Sequence, residues 1–586
     1  MSIATRARPF DAGDERMARR AIRQISMGDF AHLPPLRDLK ALFNDQRHRQ
    51  LLQNTYHTLH LDHISIDEAT ARVLSIILLS RQCRCRNLQL HRCSFTDSGR
   101  KVFFSALSIM AEYPALSQPD ASLLATKSSQ MTPRLQPWSD SHAPTHYAHT
   151  DDTAPMGLYA LELCQLGLTD KKCAWLGSVL EMQPYLQTLS LRNNPIGFVG
   201  IRRLVVSLAR GCRELKELDL SGNLLRSQGV RILAQFLAAS GQGLETLDIS
   251  GNGVTVSGAR ELAAVLAPEF NLSLRSLNFD MNQLEGSGCE ALGRMLSRNR
   301  TLEVLTLSQN NMFDNGCQSL FAGLENNTTL QSLDISGNFI SHVGARSIET
   351  YLRNGCTRGR PGYVQAGLHS LNVSANSLGD EGIESLCNGL SSSRHLVDLV
   401  ANNVEVTDRG IRHIRRLLEA GATNTPSLLT LSLRHNHRIT RSGYAEIAAA
   451  SKVNHIILRI VADLQFEGWD EVWSKVEIAL IRNTVFAVER YRVPLLMVAR
   501  GRILLRGITQ NIAADSIGIS SLPIELRRMI LLALDKHNVL GQTQRLRALN
   551  IACNLTKQYS TKPELLAAVL GDDYPFVLEM MTTIHS

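Results

Sequence analysis

Apolar residues recur along this chain in one frame, L-x-x-L-x-L-x-x-N-x-L, and the frame repeats. Its first leucine falls at Leu158, Leu186, Leu215, Leu244, Leu274, Leu302, Leu330, Leu368, Leu396 and Leu428, mostly 28–30 residues apart. The second and third leucines of a repeat, such as Leu218 and Leu220, alternate with polar letters. That is the period of a short strand with one buried face. An asparagine follows where the chain must turn, at Asn194, Asn223, Asn252, Asn282, Asn310, Asn338, Asn376 and Asn436. A buried carboxamide there can satisfy backbone groups of its own turn and of the neighbouring one. Next come Gly229, Leu233 and Leu237, and in later repeats Gly316, Leu320, Leu324 and Gly382, Leu386, Leu390. Spacing of i, i+4, i+8 predicts a helix with one buried stripe. Strand, turn, helix and return at a fixed period predict a stacked α/β solenoid, with parallel strands inside and helices outside.

Upstream the frame is less regular. YHTLHLDHISI puts Tyr56, Leu59, Leu61, Ile64 and Ile66 in its slots, and CRNLQLHRCSF puts Cys85, Leu88, Leu90, Cys93 and Phe95 there. Twelve repeats therefore span about residues 50–452. Residues 1–49 are expected to form an N-terminal helical cap and 50–111 the first repeats. Residues 112–156 are rich in Ser, Thr, Pro, Asp and His and read as a disordered insert, because so few apolar residues cannot build a core. The main run of repeats is 157–452, interrupted by the basic, Gly-rich stretch RNGCTRGRPGYVQAG at 353–367. In LVDLVANNVEVTDRG, Ala401 and Val404 stand where Leu and Asn belong, which predicts a looser or bent spot. Residues 453–487 are expected to cap the exposed hydrophobic end of the stack. Residues 488–586, with YRVPLLMVARGRILL, LPIELRRMILLALD, QTQRLRALNIACNL and KPELLAAVL, read as a small all-α domain.

Composition narrows the function classes. The 586-residue chain is 44% hydrophobic and 20% charged, ordinary for soluble globular protein, and long enough for several cores. Its formal charge of +8 is mild for this length, and no Lys/Arg block marks a nucleic-acid partner. No apolar run reaches the roughly 18 residues that span a bilayer. The N-terminus lacks an apolar signal core, and Asp11, Asp14 and Glu15 argue against a transit peptide. Eleven scattered cysteines do not make a secreted disulfide scaffold, so a reducing compartment, cytoplasm or nucleus, is expected.

Motifs for enzyme chemistry are missing: neither G-x-x-x-x-G-K-[ST] nor H-E-x-x-H occurs. No catalytic residue, cofactor or metal is expected. Cys83, Cys85, His91 and Cys93 in CRCRNLQLHRC hint at zinc, but the frame turns Cys85 and Cys93 inward. Cys173, Cys289 and Cys317 occupy a helix-start slot that elsewhere holds Ala259, Ala345 and Ile383, and there they act as small hydrophobes. Strands in register stack equivalent letters about 4.8 Å apart, so twelve of them present an arc of roughly 50 Å, suited to a protein partner. Glu217, Asp219, Glu245, Asp248, Asp280, Glu303 and Asp334 make the middle of that inner face acidic, flanked by Arg192 and Lys216 on one side and Arg434 and His435 on the other. The expected partner carries a basic surface, and Asp219 is a letter free to meet it.

LDLSGN, LDISGN and LTLSQNNMFDNGCQSL resemble the ribonuclease-inhibitor class of leucine-rich repeats, with units of 28–29 residues, over about two-thirds of the chain. The resemblance implies a horseshoe-shaped, non-enzymatic protein-binding scaffold. Ran GTPase-activating proteins share this repeat class, so activation of a Ran-like small GTPase is an alternative. The acidic segment that follows their repeats has no counterpart in GITQNIAADSIGISSLPIELRRM, and no functional arginine carries over. A second alternative rests on Leu522, Pro523, Glu525, Leu526, Ile530, Leu531 and Leu534, which resemble the first helix of an F-box. That would imply a ubiquitin-ligase substrate receptor with a ligase adaptor as partner. F-boxes usually precede the repeats, and the tryptophan of the family pattern is absent from QTQRLRALNIACN.

Overall fold

Each expected repeat forms its strand, and the spacing of the leucines explains the register. The computed structural model describes residues 20–21, 24, 58–79, 85–112, 157–240, 243–266, 273–354, 367–393, 395–420, 428–463 and 470–483. Apart from helical positions 20, 21 and 24, the N-terminal cap lies outside these residues. So do the insert beyond Glu112 and the C-terminal helical domain.

The described residues fall into two units, one ending at Asn282 and one beginning at Gln283. In the first, seven parallel strands follow one another in chain order: Thr58–Asp62, Asn87–His91, Ala160–Cys164, Thr188–Ser190, Glu217–Asp219, Thr246–Asp248 and Ser276–Asn278. Leu59, Leu88, Leu161, Leu189, Leu218, Leu247 and Leu277 stand side by side in that sheet, each at most 2% exposed. Two further short strands, Ser65–Ile66 and Ser94–Phe95, pair with each other. The second unit repeats the plan with Val304–Thr306, Ser332–Asp334, Ser370–Asn372, Asp398–Val400, Thr430–Ser432 and Arg459–Val461. The last of these lies beyond the twelve repeats read from the leucines. Ile457 and Ile460 take the leucine slots there and are fully or almost fully buried, so the strand still pairs with Thr430–Ser432, and a helix follows at 470–483.

Helices alternate with the strands. Arg226–Ser240 buries Leu233 and Leu237, as the stripe requires, while Arg231 and Gln235 face outward. The turn between strand and helix has one recurring feature: the residue just before the asparagine slot is left-handed. Asn193, Gly222 and Gly251 have φ of 57°, 65° and 62°. Glycine in LDLSGN is there because that backbone suits a residue without Cβ. The looser spot expected at Ala401 and Val404 does not disturb the sheet. Both residues are fully buried, and Asp398–Val400 keeps its register with both neighbours.

A second tie between repeats was not read from the sequence. Aspartate in the first turn of one helix accepts hydrogen bonds from the N-terminus of the next. Asp314 Oδ1 accepts from the Ser341 and Gly344 N–H groups at 2.8 and 2.9 Å, and Oδ2 from the Ser341 hydroxyl at 2.7 Å. Asp380 does the same for Thr407 and Gly410, and Asp170 accepts from Gly197 N–H at 2.7 Å. Helix N-termini leave several N–H groups without an internal partner and favour negative charge, so each carboxylate caps its neighbour. Asp380→Ala is expected to cost about 1–2 kcal/mol in denaturant unfolding, with faster amide exchange at Thr407–Gly410. Unchanged exchange there would show that the cap is not shared between repeats.

Candidate functional site

Period-2 alternation fixes which letters leave the core. In Glu217–Asp219 the middle leucine points inward, so Glu217 and Asp219 share the opposite face of the sheet. Thr188, Glu217 and Thr246 stand in one row across the first unit, and Ser190, Asp219, Asp248 and Asn278 in the next. Glu245 precedes the strand Thr246–Asp248. Three of the seven expected site residues, Glu217, Asp219 and Asp248, therefore share one face of two adjacent strands. Asp280 lies two residues beyond Asn278. Glu303 and Asp334 belong to the second unit, Glu303 just before Val304–Thr306 and Asp334 at the end of Ser332–Asp334.

The aspartates are already employed. Asp219 Oδ1 accepts from the Ser221 N–H at 2.9 Å and hydroxyl at 2.6 Å, while Oδ2 accepts from the Ser190 hydroxyl of the preceding strand at 2.7 Å. Asp248 holds Ser250 in the same way and accepts from Asn278 Nδ2 at 2.9 Å. Asp334 holds Ser336 and accepts from Asn372 Nδ2 at 2.6 Å. One oxygen closes the turn after the strand and the other ties adjacent strands. The expectation that Asp219 is free of structural duty is corrected: its two oxygens brace the coil, because a carboxylate two residues before an exposed N–H closes an Asx turn. Two glutamates, Glu217 and Glu245, are less committed. Glu217 is exposed and accepts only from the Thr188 hydroxyl, at 3.2 Å, and Glu245 stands 3.8 Å from Lys216 with both side chains about half exposed.

Chemistry gathers at another place on the same face, near the start of the sheet. His91 and Cys164 stand opposite each other on adjacent strands, and Glu162 lies two residues before Cys164. His91 Nε2 is 3.2 Å from Glu162 Oε2, and Glu162 Oε1 accepts from Gln89 Nε2 at 2.8 Å. Cys164 Sγ lies with these groups inside 4.8 Å and hydrogen-bonds the Ser190 hydroxyl. By alternation Cys164 should look outward with Glu162, yet it is 4% exposed, and burial pushes its thiol up. The nearby Cys164, Asp219 and Glu162 side chains favour the charged form of Arg192, in the next coil. Among the described residues this is the one group of three metal-ligating side chains.

The stretch CRCRNLQLHRC groups His91 with Cys83, Cys85 and Cys93 instead. Cys83 lies outside the described residues, while Cys85 and Cys93 are buried, the Cys85 thiol being pushed up to about 12. Glu162 and Cys164 were missed as His91's neighbours because they come 71 and 73 residues later. The available signal was the letter after the third leucine, read across repeats: Asp62, His91, Cys164, Arg192. Cys173, Cys289 and Cys317 are fully buried, in keeping with their helix-start slot. No helix of the described residues is long and apolar enough to cross a membrane.

Parallel strands in register, asparagine-braced turns and alternating helices define a repeat solenoid. The fold is that of a leucine-rich repeat solenoid. The family model described as "Leucine Rich repeat" matches residues 244–263, 270–293, 298–321, 326–348 and 368–387. No curated protein matches the chain significantly. Among solved structures, the chain is similar to the yeast Rad7–Elc1 complex at 14% identity, covering 74% of this chain and 90% of that one, with a TM-score of 0.33. The leucine-rich repeat protein LegL7 of Legionella pneumophila aligns at 17% identity over 50% of this chain and 90% of its own, with a TM-score of 0.31. The TLR13–ssRNA13 complex aligns at 17% identity over 56% and 45%, with a TM-score of 0.32. None of these likenesses says what this chain does.

Proposed function

We propose that the protein is a non-enzymatic protein-binding scaffold of the ribonuclease-inhibitor-like class, working inside the cell. Its binding face is the outward side of the strand ladder, and its partner carries a basic surface. The observation that carries this reading is the placement of Glu217, Asp219 and Asp248 on one face of two neighbouring strands, with Glu245 one position before the second strand. Asp280, and in the second unit Glu303 and Asp334, extend the same acidic composition. Among these groups Glu217 and Glu245 have carboxyl oxygens to spare for a partner, and Asp219 and Asp248 set the spacing. Complementary charge speeds encounter and selects partners more than it adds raw affinity.

The variant that tests this is Glu217→Lys with Glu245→Lys, because neither glutamate closes a turn. A partner captured from extract by the full-length protein is expected to bind at least about tenfold more weakly to this variant, and more weakly in high salt. The circular dichroism spectrum should stay unchanged. Equal binding by both proteins would remove the acidic face from the proposal. Two finer alternatives come from resemblance alone. Residues 522–534, which suggest a ubiquitin-ligase substrate receptor, lie outside the described residues, and no described residue favours activation of a Ran-like GTPase. Stimulated GTP hydrolysis, or co-purification of a ligase adaptor lost on deleting 519–586, would replace the scaffold reading.

A further inference from the structure

The sheet contains one long excursion, and the cluster of His91, Glu162 and Cys164 sits across it. Steps between in-register residues in the first unit are 28–30 positions, such as Leu59 to Leu88 and Leu218 to Leu247. From His91 to its register partner Cys164 the step is 73 positions. The two strands that flank the insert must therefore be brought together over more chain than any other pair here. Closing a longer loop costs more entropy, and a clip that joins its ends offsets that cost.

The donors at this junction are an imidazole nitrogen, a carboxylate oxygen and a thiol sulfur. That mixed set suits zinc and its borderline neighbours, and not magnesium or calcium, which prefer oxygen alone. We propose that His91, Glu162 and Cys164 form a zinc-type site that clasps the strands Asn87–His91 and Ala160–Cys164 on either side of the insert. The geometry is close to what the ion needs. Zinc bonds of about 2.0–2.3 Å place tetrahedral ligands roughly 3.5 Å apart. His91 and Glu162 already meet that spacing at 3.2 Å, and the thiol, within 4.8 Å, has to move inward by about an ångström. Gln89 supplies the outer support by holding the second oxygen of Glu162, as groups behind metal ligands commonly do. Three protein ligands leave a fourth position for water, on the side where His91 and Glu162 remain 19% and 24% exposed.

Arg192 is the competitor. Its positive charge is favoured by the nearby Cys164, Asp219 and Glu162 side chains. An arriving divalent cation displaces it, and the Cys164 thiol proton leaves to solvent as the sulfur–metal bond forms. Removing Arg192 should therefore tighten metal binding, an outcome that a purely structural cluster would not give.

The experiment uses full-length protein, reduced and freed of metal with a chelator, titrated with Co2+ and followed by absorption. The expected result is one equivalent bound, with a thiolate-to-cobalt charge-transfer band and the visible bands of a tetrahedral site, all abolished by added Zn2+. Cys164→Ser should lose the charge-transfer band, Glu162→Gln should bind at least tenfold more weakly, and Arg192→Ala several-fold more tightly. Absence of the band at millimolar Co2+, or a band that survives Cys164→Ser, overturns the proposal. Should Cys164→Ser fail to fold, the other two variants decide: unaltered affinity in both overturns it as well.

Discussion

Gly323→Ala is expected to lower the unfolding free energy by about 3 kcal/mol or more, among the largest effects of any single methyl group in this protein. Gly323 lies near the end of the helix Phe313–Leu324, and a Cβ there would overlap the backbone carbonyl of Gly293 in the helix Glu285–Leu296. The reverse substitution meets the same obstacle, since a Cβ on Gly293 would overlap the carbonyl of Ser319. The two helices touch backbone to backbone at this point, and neither carbonyl can rotate away without breaking its helix. An alanine at a helical position would otherwise be stabilising by up to about 1 kcal/mol, so the sign of the effect is diagnostic. Urea denaturation followed by circular dichroism would measure it, with amide exchange showing whether the loss is centred on these helices. A neutral or stabilising Gly323→Ala would mean that the close approach is wrong.

Asn223→Ala should cost about 3 kcal/mol, and Asn223→Asp at least as much. The Asn223 side chain is 3% exposed and serves two turns at once. Its Nδ2 donates to the carbonyls of Leu220 at 2.8 Å, Leu191 at 3.0 Å and Ser221 at 3.2 Å, and its Oδ1 accepts from Ile196 N–H at 3.2 Å. Alanine leaves those backbone groups buried without partners, each worth roughly 1–3 kcal/mol. Aspartate is no rescue, because it turns a second oxygen toward three carbonyl oxygens. Asn252 and Asn376 make equivalent bonds in their own repeats, so their alanine variants should behave alike. The same denaturation measurement serves here. A loss under 1 kcal/mol for Asn223→Ala would show that water replaces the carboxamide in the turn.

Much of this was legible in the sequence. Leu189, Leu218 and Leu247 are buried where the period put them, and the asparagine slot does the bonding its chemistry suggested. The strand Arg459–Val461 escaped the leucine frame because isoleucines replace leucines there, although the core accepts either. The capping by Asp314 and Asp380 escaped for a different reason. Their partners are one repeat away, and nothing within one repeat announces them. The candidate acidic face was readable as a list of letters, whereas the duties of Asp219, Asp248 and Asp334 in closing turns emerge only from where Ser221, Ser250 and Ser336 lie.

By itself the sequence determined the repeat, the alternation of strand and helix, and the side of each strand that is buried. Those depend on local periodicity, which a single chain displays along its length. Only the tertiary structure decided which glycines are pressed against a neighbouring backbone, which carboxylates are spent on the scaffold, and that His91 meets Glu162 and Cys164. Such contacts depend on register between coils. Where an insertion lengthens one coil, the sequence distance between partners grows, and their distance across the paired strands does not.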